Sequence, residues 1–274
     1  MNPPGSISSK TILITGSTDG LGKLVAEHLA AQGATILLHG RNREKGRAVL
    51  DELRRKTKSE KLSYYNGDFS SLQDVSSLAD EILKKEKMID VLINNVGIGR
   101  GKDTHRREVS KDGHELRFAV NYLAHVLLTE KLLPLLPTAS ARIINVASAG
   151  QETIDFSNLM LEKKYEGFFA YRQSKTALIM YTFDLAERLK EKGIAVNALH
   201  PASLMNTKMV LDEWDYTLTT VEQGADAVES LLTVATTGEY YDGGRKAKAI
   251  AQAYDRKARE TLRDLTREIL APYL

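Results

Sequence analysis

The chain of 274 residues contains no cysteine, and this absence excludes several kinds of chemistry. Without thiols there can be no disulfide framework, no thiolate nucleophile and no cysteine-ligated zinc or iron–sulfur site. None of the six histidines lies in an H-x-x-x-H or similar pair of the kind that ligates a metal. The sequence therefore predicts chemistry without a bound metal.

Long apolar runs and an excess of one charge are also missing. No stretch of 18 apolar residues occurs, and the N-terminus lacks the order of a signal peptide, a charged region followed by an apolar one. The 38 basic and 36 acidic residues leave a net charge of +2 and are dispersed, which indicates neither nucleic acid nor an anionic membrane as partner. These features predict a cytoplasmic protein without a membrane anchor that acts on a small molecule.

Proline and glycine do not divide the chain. The six prolines are scattered and no linker or change of composition occurs, so residues 1–274 are predicted to form a single domain. Apolar runs alternate with helical periodicity, which favours an α/β, doubly wound Rossmann fold with a mostly parallel seven-stranded sheet and helices on both faces. The predicted strands are 10–15, 34–39, 62–67, 91–94, 142–146, 195–200 and about 239–241. The predicted helices are 21–32, 43–57, 72–87, 112–136, 168–192 and 222–235.

Three stretches depart from this alternation. They are residues 97–113, 151–167 and 205–220. Loops of this length on an α/β core usually carry substrate specificity, and we expect that role here.

Glycines are concentrated directly after the first predicted strand. Residues 15–22 read Thr-Gly-Ser-Thr-Asp-Gly-Leu-Gly and open a predicted helix. Glycines let the backbone approach a pyrophosphate closely, and the unpaired N–H groups of a helix N-terminus attract an anion. The spacing is G-x-x-x-G-x-G, whereas the commoner dinucleotide fingerprint is G-x-G-x-x-G. The predicted cofactor-binding residues of this turn are Gly16, Ser17, Asp19, Gly20, Leu21 and Gly22.

Tyr171 and Lys175 stand four residues apart on a predicted helix, so they share one of its faces. A free tyrosine titrates near ~10 and needs a neighbouring cation to exchange protons at neutral pH. Such a pair also occurs by chance in many helices, so its context decides its meaning.

Three further features supply that context, and they precede the pair in a fixed order. After the glycine turn come Asn-Asn-Val-Gly at residues 94–97, Asn121, Ser148 at the end of a strand, and Tyr171-x-x-x-Lys175. In this the chain resembles the short-chain dehydrogenase/reductase family over about residues 10–245. The long spacing between Ser148 and Tyr171 is similar to that of the retinol-dehydrogenase and carbonyl-reductase-like branch.

The resemblance implies a catalytic group made of Asn121, Ser148, Tyr171 and Lys175. Hydride would move between a nicotinamide and a carbonyl or carbinol carbon while Tyr171 gives or takes the proton on oxygen. Lys175 would lower the tyrosine pKa, Ser148 would orient the substrate oxygen, and Asn121 would hold a water. The resemblance also implies cofactor contacts from Asp68, Phe69, Asn95, Gly97, Tyr171, Lys175, Pro201 and Thr207.

The end of the second predicted strand indicates which cofactor binds. An acidic residue there binds the adenosine ribose of NAD, whereas a basic residue accommodates the additional phosphate of NADP. Here the strand ends in His-Gly-Arg-Asn, so Arg41 and Asn42 predict NADP(H). Asp19 opposes this preference, because many NADP-using relatives have a basic residue at its position.

The predicted function is NADP(H)-dependent interconversion of a carbonyl compound and its alcohol. A steroid- or retinol-like alcohol dehydrogenase is the alternative among enzymes, and a non-catalytic NADP-binding sensor or scaffold is the alternative outside them. Relatives pair through the helices predicted here at 112–136 and 168–192, although monomers are known in this branch. A homodimer and a monomer are therefore both left open.

Overall fold

A sheet of eight strands lies at the centre of the computed structural model, which describes residues 6–274. The strands are β1 (Thr11–Ile14), β2 (Thr35–Gly40), β3 (Leu62–Asn66), β4 (Val91–Asn94), β5 (Arg142–Val146), β6 (Ala195–His200), β7 (Glu239–Asp242) and β8 (Arg245–Ala247). Their order across the sheet is β3-β2-β1-β4-β5-β6-β7-β8, and all neighbours are parallel except β7 and β8. The order reverses between β1 and β4, which is where a doubly wound sheet opens a crevice.

Helices cover both faces of the sheet. They are α1 (Gly20–Ala31), α2 (Arg43–Thr57), α3 (Leu72–Lys85), α4 (Leu116–Phe118), α5 (Ala124–Leu132), α6 (Gly167–Leu189), α7 (Lys208–Leu211), α8 (Val221–Ser230), α9 (Ala251–Tyr254) and α10 (Arg256–Leu270). A π-helical segment, Ala119–Leu123, joins α4 to α5. No helix within residues 6–274 is both long and apolar enough to cross a membrane.

Alternate residues of each strand enter two separate cores. Leu13 of β1 packs with side chains of α3, α5 and α6, whereas Ile12 and Ile14 pack with those of α1, α2 and α8. Successive side chains of a strand point to opposite faces, so a sheet covered on both faces needs continuous apolar strands. This explains the unbroken apolar runs in the sequence.

The predicted α/β fold is confirmed, but the sheet has eight strands instead of seven. β8 pairs antiparallel with β7 at the edge of the sheet. Its residues Arg245 and Lys246 are exposed, so it has no apolar pattern by which the sequence could reveal it. The helix predicted to begin at residue 112 begins at Leu116, where the Glu115 carboxylate accepts a hydrogen bond from the Phe118 N–H at 2.7 Å.

α9 and α10 were not predicted. α10 packs against α6, and its buried residues Leu262, Thr266 and Leu270 recur every fourth position. The hydroxyls of Thr266 and Tyr122 are 2.7 Å apart. The recurrence of buried residues at every fourth position is the helical signal that the sequence contained after residue 241.

Candidate active site

The crevice lies where the chain leaves the carboxyl ends of β1 and β4. Asn95, just after β4, donates from Nδ2 to the Thr15 carbonyl at 2.8 Å, and its own N–H donates to Thr15 Oγ1 at 2.8 Å. These bonds fasten the glycine turn to the end of β4. The two segments predicted to bind the cofactor are therefore neighbours.

The glycine turn has the shape of a phosphate cradle. Gly16 has a φ of +67°, a conformation that glycine adopts without strain. A Cβ on Gly22 would lie 2.5 Å from Asn95 Nδ2 and 2.6 Å from the Gly16 carbonyl oxygen, so only glycine fits there. The N–H groups of Leu21 and Gly22 lie in the first turn of α1, where no helical acceptor exists. This arrangement fits the pyrophosphate of a dinucleotide.

Three predicted cofactor residues have their side chains inside the protein. The hydroxyl of Ser17 accepts a hydrogen bond from the His39 N–H at 2.9 Å, Leu21 is in the core below α1, and the Phe69 ring packs between His39 and His125. These side chains support the walls of the crevice. Burial also lowers the pKa of His39 to about 4, so its ring is neutral at physiological pH.

The end of β2 presents exposed polar and basic residues beside the turn. Arg41 and Asn42 are exposed, and Asn42 Oδ1 accepts a hydrogen bond from the Lys45 N–H at 2.9 Å to cap α2. The Lys45 ammonium bonds to the Asp19 carboxylate and lowers the pKa of Asp19. Lys45 was not among the predicted residues, yet it neutralises the one acidic group that argued against NADP.

Two more predicted residues lie along the rim. Burial raises the pKa of Asp68, but the Ser70 N–H and the Lys111 ammonium at 3.1 Å outweigh it, so the pKa is lowered and the group is ionised. Thr207 lies against the turn, since its Cγ2 is 3.3 Å from where a Cβ on Gly20 would stand. Pro201 is buried at the end of β6.

Asn121 is placed by the π-helical segment. Its side chain is fully buried, with Oδ1 accepting from the Ile98 N–H at 2.8 Å and Nδ2 donating to Ser174 Oγ at 3.0 Å. Single π-helical turns inside α-helices occur frequently at functional sites. Here the turn directs an amide toward both the loop after β4 and helix α6.

Lys175 is also buried and reaches the same crevice. Its Nζ donates to the Val146 carbonyl at 2.9 Å and lies 3.3 Å from the position that a Cβ on Gly97 would take. Burial lowers the pKa of Lys175 to about 8. Asn121, Lys175 and the loop at Gly97 therefore form one connected group.

Tyr171 and Ser148 complete the group, and burial governs the pKa of Tyr171. Burial raises it, a hydrogen bond with the Ser148 hydroxyl opposes the rise, and the negative charge of Glu213 adds to it. The net direction is upward. Lys175 is not among the groups that shift this pKa here, since its ammonium is 6.0 Å from the tyrosine ring centre and bonds to a backbone carbonyl. That Lys175 lowers the tyrosine pKa therefore stays a prediction.

Residues that the sequence did not identify join two of the predicted loops over Tyr171. The Glu213 carboxylate accepts hydrogen bonds from the N–H groups of Arg100 at 3.1 Å and Gly101 at 2.9 Å. The Arg100 guanidinium lies 4.4 Å from the ring centre of Trp214. Stretch 205–220 is thus fastened onto stretch 97–113, and no local sequence signal marks these contacts.

Comparison with known proteins gives the family. The sequence profile described as short chain dehydrogenase matches residues 10–216. The chain belongs to this family. Retinol dehydrogenase 13 of Mus musculus is 32% identical over 279 aligned positions, which cover 94% of this chain and 82% of that protein. The similarity extends to the retinol-dehydrogenase-like branch, as the resemblance predicted.

Solved structures agree with this assignment. An uncharacterized protein from Mycobacterium paratuberculosis is 26% identical with a TM-score of 0.77, over 97% of this chain and 95% of that one. A short chain dehydrogenase from Escherichia coli CFT073, solved as a complex with NADPH, is 25% identical with a TM-score of 0.70, over 88% of this chain and 99% of that one. This short-chain dehydrogenase is therefore an oxidoreductase that acts on CH–OH and C=O groups with a nicotinamide cofactor. Within residues 6–274, no three histidine, aspartate or glutamate side chains converge as a metal site would require.

Proposed function

We propose that this short-chain dehydrogenase interconverts a carbonyl compound and its alcohol with NADP(H), and that Tyr171 is the acid/base. The observation that carries the proposal is the convergence of four side chains on one crevice: Tyr171 interacts with the Ser148 hydroxyl, and Lys175 and Asn121 reach the same crevice. NADPH, when bound, supplies the hydride. In reduction the Tyr171 hydroxyl donates its proton to the substrate oxygen, and in oxidation it takes that proton back.

The other three residues have supporting roles. Ser148 Oγ accepts a hydrogen bond from the Gly150 N–H at 3.0 Å, which leaves its own proton for the substrate oxygen or for Tyr171. The Lys175 ammonium contributes positive charge that stabilises a tyrosinate as it forms. Asn121 orders the crevice by binding the loop after β4 and helix α6, and we assign it the water that links Lys175 to solvent.

The preference for NADP(H) rests on charge at the end of β2. Arg41 offers a planar guanidinium to the additional phosphate, and Lys45 offsets the negative charge of Asp19. The NADPH complex of the Escherichia coli relative supports the same choice. We expect Arg41→Gln to raise the KM for NADPH by about ten-fold and to leave the KM for NADH nearly unchanged, since only the phosphate contact is lost.

A second candidate is oxidation of a retinol-like alcohol. The similarity to Retinol dehydrogenase 13 supports it. A steroid-like alcohol remains part of this candidate. The sensor or scaffold hypothesis is weaker, because Asn121, Ser148, Tyr171 and Lys175 are all present and converge.

Three broader features belong to the proposal. We infer that residues 1–274 act as one dinucleotide-binding and catalytic domain, because all eight strands of the described residues form one sheet. A cytoplasmic location stays a prediction from the sequence. Of the two oligomeric states left open, the homodimer and the monomer, we favour the monomer, since α10 covers the outer side of α6.

An assay in both directions tests the proposed function. The purified protein is given NADPH or NADH with ketones, aldehydes and quinones, and NADP⁺ or NAD⁺ with retinol and secondary alcohols. We expect reduction to be faster with NADPH than with NADH. Turnover confined to retinol-like alcohols would favour the second candidate, and NADPH binding without turnover on any substrate would favour the sensor.

A further inference from the structure

Arg172, an arginine that forms no ion pair with any residue in 6–274, borders the active site. Arg172 follows Tyr171 on α6, and its Cγ and Nε lie 3.6 and 3.9 Å from the position of a Cβ on Gly150. Ser148 Oγ lies 3.4 Å from the same position. The guanidinium stem and the Ser148 hydroxyl therefore flank the same piece of backbone.

The pairing of Arg172 differs from that of comparable arginines. Its Nε is buried and has no hydrogen-bond partner among residues 6–274, and the guanidinium forms no ion pair there. Four other arginines also have a buried nitrogen without a partner, but each forms an ion pair: Arg54, Arg100, Arg117 and Arg263. A guanidinium that is partly withdrawn from water without an anion is destabilising unless a ligand supplies the anion.

Nearby carboxylates are engaged elsewhere. Glu213 accepts the N–H groups of Arg100 and Gly101, and both oxygens of Glu166 cap the first turn of α6. Glu152 accepts the N–H of the following residue at 3.1 Å. No carboxylate of the described chain therefore pairs with Arg172.

The surroundings of Arg172 also offer apolar surface. Its guanidinium lies 4.4 Å from the ring centre of Phe168, and that ring meets Trp214 edge to face at 5.8 Å. The stacking holds the guanidinium plane in one orientation. A free cation thus stands beside an aromatic wall, next to the residues that handle the substrate oxygen.

We propose that Arg172 binds a carboxylate on the substrate, so that the enzyme acts on carbonyl compounds with a carboxylate at one end and an apolar body against Phe168 and Trp214. A planar guanidinium can hold a carboxylate with two parallel hydrogen bonds. The inference rests on the proposed function, because the substrate carbonyl must lie at Tyr171 and Ser148. It adds the chemical class of the substrate.

Trp214 gives a binding test that does not need turnover. It is the sole tryptophan of the chain, so intrinsic fluorescence reports on the wall beside Arg172. The full-length protein with NADP⁺ is titrated with benzoate and with benzamide, its uncharged analogue. We expect the Trp214 fluorescence to change in a saturable way with both ligands. Half-saturation should need about ten-fold less benzoate than benzamide, because one charge-assisted hydrogen bond contributes about that factor to affinity.

Variants identify the residue responsible. In Arg172→Gln the preference for benzoate should disappear, and in Arg172→Lys it should be reduced. Arg256→Gln is the matched control, since Arg256 is exposed and pairs with Glu260 on the outside of α10. Equal responses to benzoate and benzamide in the wild type, no saturable response to benzoate, or a preference that survives Arg172→Gln would each overturn the proposal.

A kinetic pair separates this inference from the proposed function. Reduction of 4-carboxybenzaldehyde and of its methyl ester is measured with NADPH. We expect kcat/KM to favour the carboxylate about ten-fold, mostly through KM, and the ratio to approach one in Arg172→Gln. Reduction of both aldehydes with equal kcat/KM would refute the carboxylate site alone. Reduction of neither, with benzoate still preferred in the titration, would refute the proposed function and retain the site.

Discussion

Burial shifts the pKa values of Tyr171 and Lys175 in opposite directions. It raises the pKa of Tyr171 above its usual value and lowers the pKa of Lys175 to about 8. Each shift disfavours the charged form, since a buried charge loses its hydration. Above about pH 8, Lys175 is therefore neutral while Tyr171 keeps its proton.

This order of titration predicts a pH dependence. The initial rate of NADPH-dependent reduction should fall as the pH rises through about 8, because the ammonium that stabilises the forming tyrosinate is lost. Measuring kcat/KM from pH 6 to 10 checks this. Lys175→Arg keeps the positive charge, so any activity that remains in this variant should not fall near pH 8. A wild-type kcat/KM that stays constant up to pH 9.5 would contradict the role assigned to Lys175.

His39 gives a prediction on stability. Its pKa is lowered to about 4 in the folded protein, so between that pH and ~6.5 the unfolded chain binds more protons than the folded one. The contribution of the neutral His39 ring to the free energy of unfolding is complete above pH ~6.5. It decreases by about 3 kcal/mol as the pH falls toward the folded-state pKa of about 4. Urea unfolding at pH 7 and pH 4.5 should show a smaller pH-dependent loss in His39→Gln than in the wild type. An equal loss in both would count against the buried neutral histidine.

The sequence predicted the central residues of the site but not their support. Ser148, Tyr171 and Lys175 could be found because their positions are fixed relative to one strand and one helix. Glu213 and Arg172 could not be found, since their surroundings depend on the paths of loops that no local pattern determines. The upward shift of the Tyr171 pKa likewise requires the burial that only the folded chain shows.

At the scale of elements, Glu213 is the contact that holds stretch 205–220 over the crevice. Its two carboxylate oxygens accept separate N–H groups, and an amide can offer one oxygen only. We expect Glu213→Gln to weaken this closure by about 1–2 kcal/mol, which would raise the substrate KM several-fold and speed tryptic cleavage after the exposed Lys208.

The matched control for this variant is Asp215→Asn. Asp215 is exposed and lies two residues further along the same stretch. Its change should leave KM and the cleavage rate close to wild type. If both variants behaved alike, the closure would not depend on the Glu213 carboxylate.

Elements with a clear apolar boundary were predicted well. The predicted ranges of β4, β5 and β6 agree with the structure to the residue, because each is buried along its whole length or nearly so. The π-helical segment Ala119–Leu123 could not be distinguished, since its residues are buried on all sides and leave no periodicity. β8 was missed because an edge strand of charged residues has no buried face.

At the scale of the whole molecule, α10 decides which surface is open to a second copy. The helix packs on α6, and Arg263 and Arg259 of α10 pair with Asp184 and Glu187 of α6. A homodimer of the kind that the family resemblance implies, through α5 and α6, would have to displace it. We expect light scattering to give a monomer mass near 30.4 kDa at micromolar concentrations. A dimer mass that persists on dilution would show that α10 does not block pairing.

The most direct test of the account is turnover by Tyr171→Phe. NADPH binding and reduction of the best aldehyde or ketone are compared among this variant, the wild type and Tyr273→Phe. Tyr273 is the control, because its hydroxyl lies near the C-terminus and donates to Asp112 at 3.3 Å. We predict that all three bind NADPH equally and that Tyr171→Phe alone loses about 10²–10⁴-fold in kcat. Full turnover by Tyr171→Phe would contradict the assignment of Tyr171 as the acid/base.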